Sequence, residues 1–330
     1  MIFRGRKLLD VLLASFATAS LAWLSSAANA NTYPSKPITV IVPFAAGGPT
    51  DASARAVASA LAQEMGKSFV VENVPGAGGS IGTARAAAAS PDGYTLLWGT
   101  GSGLSILPNL KPLSYDARKS FAPISMVLSA PFVFAASPRL EIKTIEEFIA
   151  LGKSRPMELN YSSSGTGGTA HMIGELFNMK AGIEAVHVPY NGGAPMMHAL
   201  LAGDVDYAFD TPTSIVPLAE DKRIIPLAVT SLKRWPALPD VRTLDEIGYK
   251  DFDATTWFGL LAPANTPADR IELISKSVQK VLANPETRGK LEKSGFFVDG
   301  TTPAEFAKKI DEDTKLWAEL IQNAKIKITN

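Results

Sequence analysis

The sequence predicts an α/β fold in two units, each a parallel or mixed sheet flanked by helices. Three observations carry this. Short β-branched runs alternate with Ala-rich helical stretches along most of the chain. Several strands end in glycines that lead straight into a helix. The chain has 330 residues, 46% of them hydrophobic and 19% charged, a two-domain length at roughly 100–200 residues per domain.

Taken in order, residues 1–30 read as a secretory signal. Arg4, Arg6 and Lys7 precede an apolar run over 11–24, and Ala28-Asn29-Ala30 supplies a small-residue cleavage site. The apolar run is too short for a bilayer, which takes about 20 residues. Cleavage after Ala30 and a periplasmic location are expected, and lipoprotein anchoring is excluded because the chain has no cysteine.

Ile38-Thr39-Val40-Ile41-Val42 is a buried strand ended by Pro43 and a glycine pair, and a helix follows over 51–65, stopped by Gly66. A strand over 69–72, a helix over 81–89 and a strand over 94–98 complete a β-loop-α-β-loop-α-β order, which implies parallel pairing. A second unit begins near Pro131. Its strands are expected over 132–135, 159–161, 186–188, 205–209 and 224–229, with helices over 144–153, 169–179 and 194–202. One more strand over 255–261 and three amphipathic helices over 269–283, 285–294 and 303–324 close the chain. Pro267, Pro285 and Pro303 mark the starts of those helices.

Composition excludes several classes. Lys+Arg and Asp+Glu both number 32, so the basic footprint of a nucleic-acid binder is missing. Without cysteine there is no disulfide, thiolate zinc site or Cys nucleophile. The three histidines have no metal-ligand spacing: His187 reads as a core residue of a strand, His198 as a mid-helix core residue, and His171 as a neighbour of a glycine loop. No cofactor or metal is expected.

The chemistry concentrates in three loops, 43–51, 75–79 and 162–169, each a strand end rich in glycine before a helix. Glycine lets a ligand approach the backbone, and the helix beyond offers free N–H groups and a positive dipole end that suit anions, carboxylate included. Phe44, Trp98 and Tyr190 stand where an aromatic ring could wall a pocket. Two enzyme patterns compete. Gly165-x-Gly167-x-x-Ala170 resembles a dinucleotide fingerprint but lacks the acid ending the next strand. Gly78-x-Ser80-x-Gly82 resembles a nucleophile elbow, but Pro75 and the intervening loop separate it from a strand, and Ser80 reads as a helix cap.

In order along the chain stand Tyr33-Pro34-Ser35-Lys36-Pro37-Ile38, Val42-Pro43-Phe44, Gly47-Gly48-Pro49-Thr50-Asp51, Val71-Glu72-Asn73 and Pro75-Gly76-Ala77-Gly78-Gly79 with Ile81-Gly82. Then come Pro91-Asp92-Gly93-Tyr94-Thr95-Leu96, Tyr161-Ser162-Ser163-Ser164-Gly165, Gly174-Glu175-Leu176-Phe177, Val188-Pro189-Tyr190, Leu227-Ala228-Val229-Thr230 and Trp257-Phe258-Gly259-Leu260-Leu261-Ala262-Pro263. In this set the chain resembles the substrate-binding proteins of tripartite tricarboxylate transporters, the Bug family.

The resemblance implies a two-lobed periplasmic binding protein of type II, whose lobes close on a small carboxylate. One lobe would comprise residues 31–130 with 252–330, the other 131–251. It implies that the carboxylate is held by the first-lobe loop, partly through water, and by the serine-rich loop of the second lobe. Carried over, the site residues are Phe44, Ala46, Gly47, Gly48 and Asp51, with Ser163, Ser164, Thr166, Gly167 and His171. Asp210 stands at a strand end where the family often has an acid or amide, although an acid repels a carboxylate unless a donor or water bridges them. The implied partners are the large and small membrane subunits of such a transporter, with the receptor itself a monomer. A ligand sensor for a signalling partner, or an exported hydrolase using Ser80 or a serine of 162–164, is the alternative function. Aliphatic di- or tricarboxylates, an amino acid, a nicotinate-like compound and an aromatic dicarboxylate are all open as ligands.

Overall fold

The computed structural model describes residues 33–323; the signal segment expected over 1–30 and Ala324, where the tail helix is expected to end, lie outside the described residues. β1 (Ile38–Val42) leads into α1 (Pro49–Met65), β2 (Phe69–Asn73), α2 (Ser80–Ala87) and β3 (Thr95–Thr100). β4 (Phe121–Pro131) passes through Phe132 into β5 (Val133–Ala136). Next come α3 (Ile145–Ser154), β6 (Asn160–Ser163), α4 (Thr169–Ala181), β7 (Val186–Pro189), α5 (Gly193–Ala202), β8 (Tyr207–Asp210), α6 (Pro212–Glu220) and β9 (Ile225–Val229). β10 (Thr255–Pro263), α7 (Ala268–Ala283), α8 (Pro285–Lys293), β11 (Phe297–Val298) and α9 (Pro303–Asn323) end the fold.

The strands form two sheets. The first runs β11-β4-β10-β3-β1-β2 and the second β7-β6-β8-β5-β9. β1 pairs in parallel with β2 and β3, whereas β10 is antiparallel to both β3 and β4, with Phe258 opposite Thr100. In the second sheet β6 is parallel to β7 and β8, and β5 is antiparallel to β8, with Val133 opposite Asp210. Both sheets are therefore mixed. Local chemistry sets many boundaries: Gly66 ends α1 at φ 65 in the left-handed region, and Thr144 and Glu147 form a capping box at the start of α3.

Besides the two-residue β11, two elements escape the sequence pattern. β4, with 11 residues, is the longest strand, and α6 carries Pro217 in its interior. Prolines mark both as breaks. β11 covers β4 only at Leu128 and Ser129, so Pro123 lies along a stretch of edge where a missing N–H is tolerated.

Behind the second sheet, Phe134 gathers Phe148, Phe177, Tyr207 and Phe209, with ring centroids 4.7–5.3 Å away. The chain crosses between the sheets after β4 and again before β10, and Thr230 ties the two crossings together. Its N–H donates to the Phe132 carbonyl at 2.9 Å, its hydroxyl accepts from the Phe132 N–H at 2.8 Å and donates to the Ala254 carbonyl at 2.5 Å. No helix among the described residues is long and apolar enough to cross a membrane.

Candidate ligand site

The carboxyl ends of β1, β3, β6 and β8 lead into residues that border one cavity, as does the start of antiparallel β10. Its lining includes Phe44, Thr100, Ser102, Phe132, Ser164, Asp210, Thr211, Thr256 and Phe258, and its volume is about 40 Å³. Ligands of open α/β sheets sit in this position, outside the carboxyl ends of the strands.

Four helices of nine residues or more begin at the same place. Pro49 and Thr50 of α1, Thr169 and Ala170 of α4 and Gly193 of α5 line the cavity, and Thr211 is the N-cap of α6. None of the four has a side-chain cap; three start at glycine, Gly48, Gly168 and Gly192. Their first-turn N–H groups are therefore free of side-chain partners, and four positive dipole ends converge.

Unsatisfied polar atoms point to the same space. Four buried side-chain atoms among the described residues have no hydrogen-bond partner: Thr100 Oγ1, Asn160 Oδ1, Asp210 Oδ2 and Thr211 Oγ1. Three of the four belong to residues lining this cavity. A larger groove, about 1050 Å³ between α6, Trp235 and the α8–β11 turn, is lined by none of them. Buried polar groups are normally paired, so the small cavity is where partners are wanted.

The two lobes meet at the cavity backbone to backbone. The Ala45 N–H donates to the Asn191 carbonyl at 3.0 Å. A Cβ at Gly48 would lie 3.2 Å from the amide nitrogens of Gly193 and Ala194. A Cβ at Gly78, whose φ is +67, would lie 2.4 Å from the Thr166 carbonyl oxygen. At Gly78 only glycine allows the approach, and at Gly48 a side chain would crowd it.

The residues carried over from the resemblance divide into groups. Phe44, Ser164 and Asp210 line the cavity. Gly48 sits at the contact between α1 and α5, and Ala46 and Gly47 are exposed beside it. Asp51 is buried under the loop and organises it: its carboxylate accepts from the Gly47 N–H at 3.0 Å, from Arg55 Nε at 3.0 Å and from Asn73 Nδ2 at 2.9 Å. Burial works against its ionisation, but the Arg55, Gly47 and Asn73 donors outweigh that and hold its carboxyl below the usual range.

Ser163, Gly167 and His171 form the underside of the second-lobe loop, with Thr166 facing Gly78. The Gly167 N–H donates to His171 Nδ1 at 3.0 Å, so that nitrogen carries no proton and the ring cannot donate from it. His171 and His187 stack with centroids 3.7 Å apart, and Ser163 Oγ lies 2.6 Å from His187 Nε2. Burial and then the neighbouring His187 push His171 down to about 3, and burial pushes His187 down to about 4. Both rings are neutral at ordinary pH. Ser163 and His187 are placed away from the cavity lining, and the Ser80 hydroxyl donates to the Ala77 carbonyl in the first turn of α2.

Thr100, Ser102, Phe132, Gly193, Thr211 and Thr256 border the site although the motifs did not single them out, and Phe258, within the motif 257–263, borders it without having been taken as a site residue. The end of β3 could have suggested Thr100 and Ser102, and Thr211 follows Asp210 directly. Phe132 and Thr256 carry no such signal. Among the described residues no cluster of three or more His, Cys, Asp or Glu is placed to hold a metal ion.

Comparison with known proteins agrees with this fold. The family model described as the tripartite tricarboxylate transporter family receptor matches residues 53–326. Protein BugT of Bordetella pertussis is 32% identical over 327 residues, 98% of each chain. An adipate-bound protein of R. palustris superimposes with a TM-score of 0.87 at 32% identity, covering 89% of this chain and 99% of its own. MatC of Rhodopseudomonas palustris with bound malate gives 0.84 at 30% identity, covering 88% of this chain and 100% of its own.

Proposed function

The chain belongs to the tripartite tricarboxylate transporter receptor family, and from that premise we propose that it captures a small organic carboxylate and delivers it to a membrane transporter. The family and the fold are those of periplasmic binding proteins, not of enzymes. The observation that supports capture of a carboxylate is the convergence of four uncapped helix N-termini on one hydroxyl-lined cavity. The anion is held by backbone N–H groups of α1, α4 and α5 and by the hydroxyl of Ser164. Adipate and malate, bound by two relatives, are carboxylates of the class that such a site fits.

The finer parts of the reading follow from the same premise. Export begins with removal of residues 1–30 after Ala30. The lobes divide near residues 131 and 252, and they hinge about the crossings that Thr230 ties together. The large and small membrane subunits of the transporter receive the ligand from the closed receptor.

A thermal-shift screen over a carboxylate library tests the reading. A ligand at about 100 times its Kd adds roughly 2.7 kcal/mol of stability, a clear rise in melting temperature. A library of mono-, di- and tricarboxylates that leaves the melting temperature unmoved would remove the carboxylate-receptor assignment.

A further inference from the structure

Among the described residues Asp210 is the one charged side chain lining the cavity. Its Oδ1 accepts the Thr211 N–H at 2.8 Å. Its Oδ2 is buried without a partner, facing the start of α5, where a Cβ on Gly193 would lie 3.3 Å away. Among the described residues no salt bridge to a cation reaches it. Burial pushes its carboxyl up to about 6, which still leaves it mostly ionised at neutral pH. The other polar groups around the cavity are the hydroxyls of Thr50, Thr100, Ser102, Ser164, Thr169, Thr211 and Thr256 and the N–H groups of helix starts; apart from Ser102, whose hydroxyl donates to the Gly78 carbonyl, these can donate into the cavity. They suit the carboxylate of a ligand. Asp210 Oδ2 can only accept when ionised, and it repels a second carboxylate.

On the carboxylate-receptor reading given above, we propose that the ligand carries a hydrogen-bond donor, an ammonium or a hydroxyl group, that pairs with Asp210 Oδ2, so that the preferred class is amino- or hydroxy-substituted carboxylic acids. A site whose buried acceptor is left empty rejects the analogue that lacks the donor.

Calorimetry at pH 7.5 on the mature protein, with ligands that differ only at one carbon, tests this. Succinate, malate and aspartate form one series, and adipate, 2-hydroxyadipate and 2-aminoadipate a longer one. In one series at least, a substituted member should bind roughly tenfold to a hundredfold more tightly than the parent, the span of a hydrogen bond to a charged group. Asp210→Asn places an amide N–H in reach of the same position and should abolish that preference. A parent acid binding within twofold of its substituted partners in both series overturns the proposal while leaving carboxylate capture intact. So does a parent acid that binds best and tightens as pH falls toward 6, which makes Asp210 a protonated donor. An Asn variant that keeps the full preference also overturns it; should that variant not fold, the wild-type comparison decides alone. If no member of either series binds, this inference is overturned, and the carboxylate reading stands or falls on the thermal-shift library.

Discussion

Two adjacent serines illustrate how finely the second-lobe loop sorts its side chains. Ser164 lines the cavity, while Ser163 is turned beneath the loop against His187, as expected where an extended chain alternates its faces. The start of α4 is capped by Gly168 without a side-chain bond, so no serine hydroxyl is committed to the helix. Ser164→Ala should therefore weaken carboxylate binding by roughly tenfold in calorimetry and leave the melting temperature of the free protein within a degree or two. A stability loss with unchanged affinity would take Ser164 out of the site. The stacked histidines make a second prediction. Their folded values lie below the unfolded value of about 6.5, so on acidification the unfolded chain takes up protons that the fold refuses. Stability present above pH 6.5 should be lost as pH falls toward 4 and then 3, at up to about 1.4 kcal/mol per pH unit for the buried His171 and less for the partly exposed His187. Asp210, raised to about 6, opposes this between about pH 6 and 4. Denaturation of His171→Gln across that range should show a shallower acid decline than the wild type; parallel curves would contradict the assignment.

At the scale of elements, α1 and α5 meet start to start, with Gly48 against Gly193 and Ala194. Two positive helix ends held in contact repel weakly, and an anion among them relieves the repulsion, so ligand favours closure by its greater affinity for the closed arrangement. Gly48→Val puts branched carbon into a 3.2 Å gap and should hold the two starts apart, weakening binding by roughly tenfold to a hundredfold, the equivalent of the usual overpacking cost. The melting temperature of the free protein should hardly move, because the open form relieves the clash; unaltered affinity would mean the contact is not part of binding. Much at this scale is legible in sequence. β1, the glycine-to-helix starts of α1 and α4 and the proline starts of α8 and α9 follow from local residue types. β4 and α6 do not, because Pro123, Pro131 and Pro217 signal breaks locally and only the sheet edge and helix packing around them make them tolerable.

For the whole molecule, the decisive quantity is the cavity of about 40 Å³. Small-molecule pockets are nearer 300–1,000 Å³, so entry requires the lobes to part. The chain has no cysteine, and the Ala45 N–H reaches the Asn191 carbonyl across the cleft. A double variant, Ala45→Cys with Asn191→Cys, should therefore bind carboxylate when reduced and fail to take it up when oxidised. Equal affinity in both states would show that uptake needs no parting. Of the site itself, the sequence reveals the parts that precede helices: the Phe44 loop, the serine loop and Asp210. Thr256 and Phe132 stay hidden, and Phe258 shows only as part of a motif without a role, because only the antiparallel insertion of β10 beside β3, and the chain crossing beside it, bring them to the same edge. That insertion has a consequence for how the chain matures. β10 spans residues 255–263 and lies between β3 and β4, which precede it by more than a hundred positions. The first sheet cannot close until most of the polypeptide has been delivered, so folding is dominated by distant pairings and is slow for its size. A fragment ending before Thr255 leaves β3 and β4 with bare edges, and light scattering should find it aggregating where the complete chain stays dispersed.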